Sequence, residues 1–293
     1  MKIFKPEEKL KKSLLNETEK KEFHLEFIEN KSIFGIDIYK YSEYPEDIQV
    51  YVPVLFNSIY NLTVRMCLNV EKFFFISYGK NESDFKTNFI STGDGGFQIF
   101  ENPIQSIIFG AYFELNVRRF NSGSFIGNIN TNLYNIIDRI ELRYCITHDK
   151  IYSYDKNFFG AGIINNARIL AKDNLNRLLI DQNTLRWFDE NVNTIENLMV
   201  IRLENILKLS YFKDYDKSNT TLIFQDNDND NDSIIKSLDI LKIGSIKSKN
   251  TTLDIYNLKI QFSMHFDKGR GKFKKEYEHF LYTIGNLNTQ GIN

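Results

Sequence analysis

Apolar and polar positions along the chain separate into period-two runs and longer stretches with a helical period. Residues 33–39 are apolar except for Asp37, which reads as a buried strand carrying one carboxylate to its lip. Pro45 opens a helical pattern through Ile48, Val52, Leu55, Ile59, Leu62 and Met66. Residues 73–77 predict a second apolar strand, and residues 89–100 a hairpin around Gly93-Asp94-Gly95-Gly96, where glycine supplies the positive φ of a tight turn. Asn102-Pro103 starts a helix that buries Ile107, Ile108, Ala111, Leu115 and Val117. A strand over 140–147, a glycine-started helix over 160–170, a short strand at 178–180 and a helix near 183–188 follow. Residues 241–266 alternate as strands, with turns expected at Lys249-Asn250 and Asn257. Residues 272–284 predict a basic amphipathic helix.

Strands interleaved with helices in this order predict an α+β fold, a mixed sheet with helices on its faces. No internal repeat or Pro-rich linker interrupts the pattern. One main domain over 31–262 is therefore expected, with a charged N-terminal arm or helix at 1–30 and a basic helical tail at 263–293. The segment 226–232 alternates Asp and Asn and reads as a solvated loop. It resembles the start of a calcium-binding loop but has neither the glycine at its sixth position nor the closing glutamate.

The net charge of −1 argues against a nucleic-acid coat. Cys67 and Cys145 stand alone in apolar patterns, so they read as core residues and not as a disulfide or zinc framework. His24, His148, His265 and His279 show no ligand spacing. The basic run Lys268-Gly269-Arg270-Gly271-Lys272 reads as a solvated loop. The N-terminal residues are charged, and no stretch is long and apolar enough to span a bilayer. A soluble cytoplasmic protein is the expectation, with Asn16-Glu17-Thr18 and Asn61-Leu62-Thr63 as chance matches to a glycosylation pattern.

Asp37 and Asp94 stand on separate strands, each at an apolar lip. Two carboxylates converging in this way are what a pair of divalent cations on a triphosphate needs.

The order of segments resembles the class III nucleotidyl cyclase catalytic domain. Ile36-Asp37-Ile38 matches the opening strand, Gly93-Asp94 the hairpin, Pro103 a helix start and Leu142-Arg143 a strand. Phe159-Gly160 matches a turn into a helix carrying Ala167-Arg168, and Leu179 to Leu185 matches a strand and Thr-containing helix. Lys247-Ser248-Lys249 matches the closing turn. The resemblance implies a ferredoxin-like βαββαβ core with flanking helices and terminal extensions. It implies two Mn²⁺ or Mg²⁺ ions on Asp37, Asp94 and the carbonyl of Ile38. Tyr39, Lys40 and Tyr41 would lead into a helix amino terminus whose N–H groups hold the β- and γ-phosphates. Arg168 would stabilise the α-phosphate, Lys247 (or Lys249) would grip the triphosphate, and a head-to-tail homodimer would build composite sites.

Purine cyclases read the base with a Lys before the hairpin and an Asp before the Phe-Gly turn. Ile90 or Ser91, and Asn157, stand at those positions, and neither side chain replaces an ammonium donor or a carboxylate. The chain therefore most resembles the pyrimidine cyclases of bacterial Pycsar antiphage defence, which make cyclic UMP or cyclic CMP for a downstream cyclic-nucleotide-responsive effector. Ile164 occupies the register of a ribose-contacting Asn, with Asn165 beside it. Two other functions stay open: a catalytically silent nucleotide-sensing module, and an adenylate cyclase with a rearranged base pocket.

Overall fold

The computed structural model describes residues 26–292 except 80, 124–127, 156, 174, 193, 196–197, 200–205, 213–234, 249–250 and 268–276. The expected N-terminal arm up to residue 25, the 226–232 loop, the Lys249-Asn250 turn and the basic run at 268–272 lie outside the described residues.

The central strand β1 (Glu26–Ile38) is flanked by β3 (Gly95–Phe100) and β4 (Leu142–Tyr154), both antiparallel to it. β2 (Phe89–Ser91) pairs with β3 at one edge. Helix α1 (Val52–Asn69) connects β1 to the hairpin, and α2 (Pro103–Asn121) connects β3 towards β4. The order β4-β1-β3-β2, all antiparallel and joined as βαββαβ, is the ferredoxin-like core expected. Beyond β4 the sheet continues with β6 (Leu178–Asp181), parallel to β4, which makes it mixed. It then runs through β8 (Thr251–Asp267) to β9 (Tyr277–Ile284), while β7 (Ile235–Ser248) also pairs with β8. β5 (Asn157–Gly160) folds back on the end of β4 and leads into α4 (Ala161–Lys172). α3 (Asn128–Ile137) precedes β4, and α5 (Gln182–Asn191) follows β6.

Burial explains β1. Phe34, Ile36 and Ile38 are buried towards α1 and α2, with the Phe34 ring 5.6 Å from those of Phe109 and Tyr144. Ile33, Gly35 and Asp37 alternate onto the other face, which α4 covers. A Cβ at Gly35 would overlap the side chains of Asn166 and Leu170, so glycine at this position lets α4 lie close on the sheet. Cys67 and Cys145 are both free thiols and buried, as expected of core residues.

Five local expectations are corrected. The helix expected from Pro45 is broken into a single helical turn at Glu46–Gln49 and α1, and a 3₁₀ turn at Tyr41–Glu43 precedes both. Pro53 offers no N–H to Gln49, whose carbonyl instead accepts the Tyr41 hydroxyl at 3.2 Å. Residues 73–77 form turns into a 3₁₀ helix at Ile76–Tyr78, not a strand. Phe73, Phe74 and Phe75 are all buried in succession, against Phe212 and Phe100 among others, which period-two alternation does not allow. Asn257 is not a turn but sits inside β8, where its amide donates to Asn286 O at 2.8 Å. Phe159-Gly160 ends strand β5, and Gly160 (φ 138°) caps α4 directly. Within the expected C-terminal helix, Tyr277–Ile284 is strand β9, with Tyr282 and Ile284 buried and Leu281 exposed. The Tyr282 hydroxyl fixes it by donating to Ala111 O at 3.1 Å.

Candidate metal and nucleotide site

Asp37 is the penultimate residue of β1 and lies opposite Gly95, so the strand ladder itself brings it beside Asp94 in the hairpin turn. The Ile38 N–H donates to Asp94 O at 3.2 Å, and the Thr92 N–H donates to Gly95 O at 3.1 Å, closing the turn. Gly93 takes φ 99°, the conformation for which glycine is favoured here. Burial pushes the Asp37 carboxyl up from its ordinary pKa, Arg143 opposes that shift, and the Asp94 charge adds to it. The Asp94 charge therefore reaches the Asp37 carboxyl.

Arg143 is the residue that the sequence reading missed as a site member. It faces Asp37 in register across β1 and β4. Its Nε donates to Asp37 Oδ2 at 2.8 Å, and its Nη2 donates to the same oxygen. Its Nη1 donates to Asp173 O at 2.6 Å, and its guanidinium lies 5.5 Å from the Tyr39 ring centroid. A single Arg between Leu142 and Tyr144 in an apolar strand is the same signal that singled out Asp37, and it was there to be read.

Other expected residues of this end are nearby. Ser91 and Ile90 lie opposite Gly96 and Phe97 on the same hairpin, and the Ser91 hydroxyl accepts the Gly93 N–H at 3.3 Å. Tyr39 follows β1, its N–H donating to Glu141 O at 2.8 Å. Lys40 is left-handed (φ 59°) and pairs with Glu43 at 3.0 Å. The chain at Tyr39, Lys40 and Tyr41 runs into a three-residue 3₁₀ turn and not into the expected α-helix amino terminus, because α1 begins only at Val52.

Two residues lie towards the other end of the sheet. Asn157 pairs with Tyr154 of β4, whereas Asp37 pairs with Arg143. Those β4 positions are 154 − 143 = 11 residues apart, on the order of 35 Å along a strand. Lys247 lies opposite Thr252, beyond the Ile255↔Asp181 pairing and so towards the end of the sheet away from Asp37. Arg168 is on the exposed side of α4. On the same helix Ile164 is exposed and Asn165 half-buried. Asn166 is consumed by packing, donating to Ile33 O at 2.9 Å, Cys145 O at 3.0 Å and Thr147 Oγ1 at 3.2 Å.

Among the described residues no group of three or more His, Cys, Asp or Glu side chains is placed to hold a metal. Asp37, Asp94 and neighbouring carbonyls would offer only oxygen donors, the chemistry that suits Mg²⁺ or Mn²⁺ completed by phosphate oxygens and water. No helix among the described residues is long and apolar enough to cross a membrane.

No family model matches the chain, and no curated protein matches it. Among solved structures it is similar to the catalytic core of a rhodopsin-guanylyl cyclase with converted specificity, in complex with ATPαS (8% identity, TM-score 0.44, 80% of this chain and 97% of that one). It is also similar to an adenylate/guanylate cyclase/hydrolase from Silicibacter pomeroyi (12%, TM-score 0.42, 80% and 97%). A third is the adenylyl cyclase CyaB from P. aeruginosa (11%, TM-score 0.40, 80% and 95%).

Proposed function

We propose that the chain is a metal-dependent nucleotidyl cyclase acting in the cytoplasm on a pyrimidine nucleoside triphosphate, UTP or CTP. It releases pyrophosphate and the 3′,5′-cyclic monophosphate, a second messenger in antiphage defence that a downstream effector reads. The observation carrying this reading is the convergence of Asp37 and Asp94 at one end of the sheet. Bound Mg²⁺ or Mn²⁺ supplies Lewis-acid charge there, acidifying the ribose 3′-hydroxyl and neutralising the triphosphate. Asp37, Asp94 and the Ile38 carbonyl would hold the ions. The backbone of Tyr39, Lys40 and Tyr41 borders the β- and γ-phosphates. The 3′-oxygen attacks the α-phosphorus as the bond to the pyrophosphate oxygen breaks.

Lys247 and Asn157 stand far from Asp37 within one chain. A head-to-tail homodimer reconciles this, because the end that carries Lys247 and Asn157 in one copy faces the end that carries Asp37 and Asp94 in the other. Arg168 and Lys247 of the second copy then neutralise charge developing on the α-phosphate and triphosphate. Ile90, Ser91 and Asn157 replace the ammonium and carboxylate that read purines, and Asn165 stands nearest the ribose register.

Purified protein with Mn²⁺ and each of ATP, GTP, CTP and UTP should release pyrophosphate mainly from UTP or CTP. ATP or GTP as best substrate overturns the base assignment. The Arg143–Asp37 ion pair favours one second reading, a silent module that binds a triphosphate without turnover. In that case no nucleotide releases pyrophosphate, and Asp37→Asn leaves the biological effect intact.

A further inference from the structure

Arg143 spends two of its donors on a single oxygen of Asp37, Oδ2. Among the described residues Oδ1 receives no hydrogen bond. The remaining arm is tied elsewhere, to the Asp173 carbonyl at 2.6 Å, and the guanidinium rests near the Tyr39 ring. Asp173 is itself held by the buried Arg177, at 2.9 Å. Arg143 therefore has an anchor independent of Asp37 and can release the carboxylate without leaving its place. The Asp37–Arg143 pair is partly screened, with side-chain exposures of 24% and 17%.

The charges have a direct consequence. Two carboxylates alone present a divalent cation with two negative charges, but with Arg143 in place the net is a single one. We propose that Arg143 is a displaceable counter-cation of Asp37. It aims the carboxylate before metal arrives, and it competes with the cation for Oδ2, so the free protein binds metal weakly. A triphosphate restores the missing negative charge, and metal and nucleotide then bind as strongly coupled partners. This positioning role rests on the reading of Asp37 as a metal ligand.

Binding of Mn²⁺ alone to the full-length protein, followed by electron paramagnetic resonance, tests this without turnover. Arg143→Gln should bind Mn²⁺ at least about tenfold more tightly than the unmodified chain, the scale of one unit charge a few ångström from a divalent ion even in bulk water. Arg143→Lys keeps the charge but only one point of contact, and should fall between the two. Adding a non-hydrolysable UTP analogue should tighten Mn²⁺ binding more in the unmodified chain than in Arg143→Gln. Circular dichroism establishes that each variant is folded; if Arg143→Gln does not fold, Arg143→Lys decides, and an affinity no tighter than that of the unmodified chain overturns the proposal. If folded Arg143→Gln binds Mn²⁺ equally or more weakly, while Asp37→Asn abolishes binding, the counter-cation role is wrong and the metal site stands. If Asp37→Asn binds as the unmodified chain does, or no form binds Mn²⁺ with or without the analogue, both are overturned.

Discussion

Asn166 lies directly over Gly35, and its amide bonds to carbonyls of the two central strands on either side of the contact. Helix α4 is thereby pinned to β1 two residues before Asp37. Gly35→Ala should force Asn166 and Leu170 aside, costing about 1–3 kcal/mol from overpacking. Urea denaturation measures this. A stability within 0.5 kcal/mol of the parent, roughly the range of an ordinary surface change, would show that the contact is loose.

Asp37 and Asp94 should be separable from folding. Asp37 is a partly buried carboxylate whose ionised form is disfavoured by burial, so Asp37→Asn should leave the melting temperature little changed while cyclisation falls by on the order of 10²-fold or more. Asp94→Asn should do the same. Parallel melting curves and pyrophosphate assays check both, and retention of activity in either variant removes that carboxylate from the site.

Much of this was legible in the sequence because it depends on short-range pattern. The lone Asp37 in an apolar run, the Gly93-Asp94-Gly95 turn and the Asn102-Pro103 helix start each carry their own stereochemistry, and each lies where expected. The parts that were not legible depend on partners distant in sequence. Arg143 and Asp37 are separated by 106 positions, and only the β1–β4 register joins them. The strand Tyr277–Ile284 follows a basic stretch that imitates an amphipathic helix, and its identity comes from β8 alongside it. Asn257 reads as a turn residue until the C-terminal segment that it binds is in view.

His148 and Asp181 meet beneath α5, the His148 N–H donating to Asp181 Oδ1 at 3.3 Å. Burial lowers the His148 pKa to about 4 and raises that of Asp181 to about 7. The signs oppose each other. Below about pH 6.5 the unfolded chain protonates His148 more than the folded chain does, so this group adds stability as pH rises from about 4 to 6.5. Asp181 is protonated in the folded chain up to about pH 7 but ionises near 3.8 when unfolded, so it removes stability as pH rises through that window. Asp181→Asn should therefore uncover a rising stability of up to about 1.4 kcal/mol per pH unit, and His148→Gln a falling one. Denaturation midpoints from pH 4 to 7 check this; parallel profiles for the two variants would refute the assignment.

The buried Arg177–Asp173 pair also carries the C-terminal segment, with Arg177 Nη1 donating to Asn288 O at 3.2 Å and Gln290 O at 2.6 Å. Arg177→Met leaves Asp173 buried without its cation and should cost about 3–5 kcal/mol. Arg177→Met combined with Asp173→Leu should recover part of that loss, because the uncompensated charge is gone. Equal instability in the single and double variants would mean that the lost carbonyl contacts, and not the charge, dominate.

Asp37 and Lys247 stand towards opposite ends of one sheet. If sites are composite, an Asp37→Asn chain is defective in its carboxylate half and an Arg168→Ala chain in its cation half. Each homodimer has two broken sites. Random mixing makes half the dimers heterodimers, and in each of these one site draws its carboxylates from the Arg168→Ala chain and its arginine from the Asp37→Asn chain. That site is intact, so two inactive preparations should together recover about a quarter of parental activity, as two-fold symmetry with shared sites requires. Sites complete within one chain give no recovery at any mixing ratio.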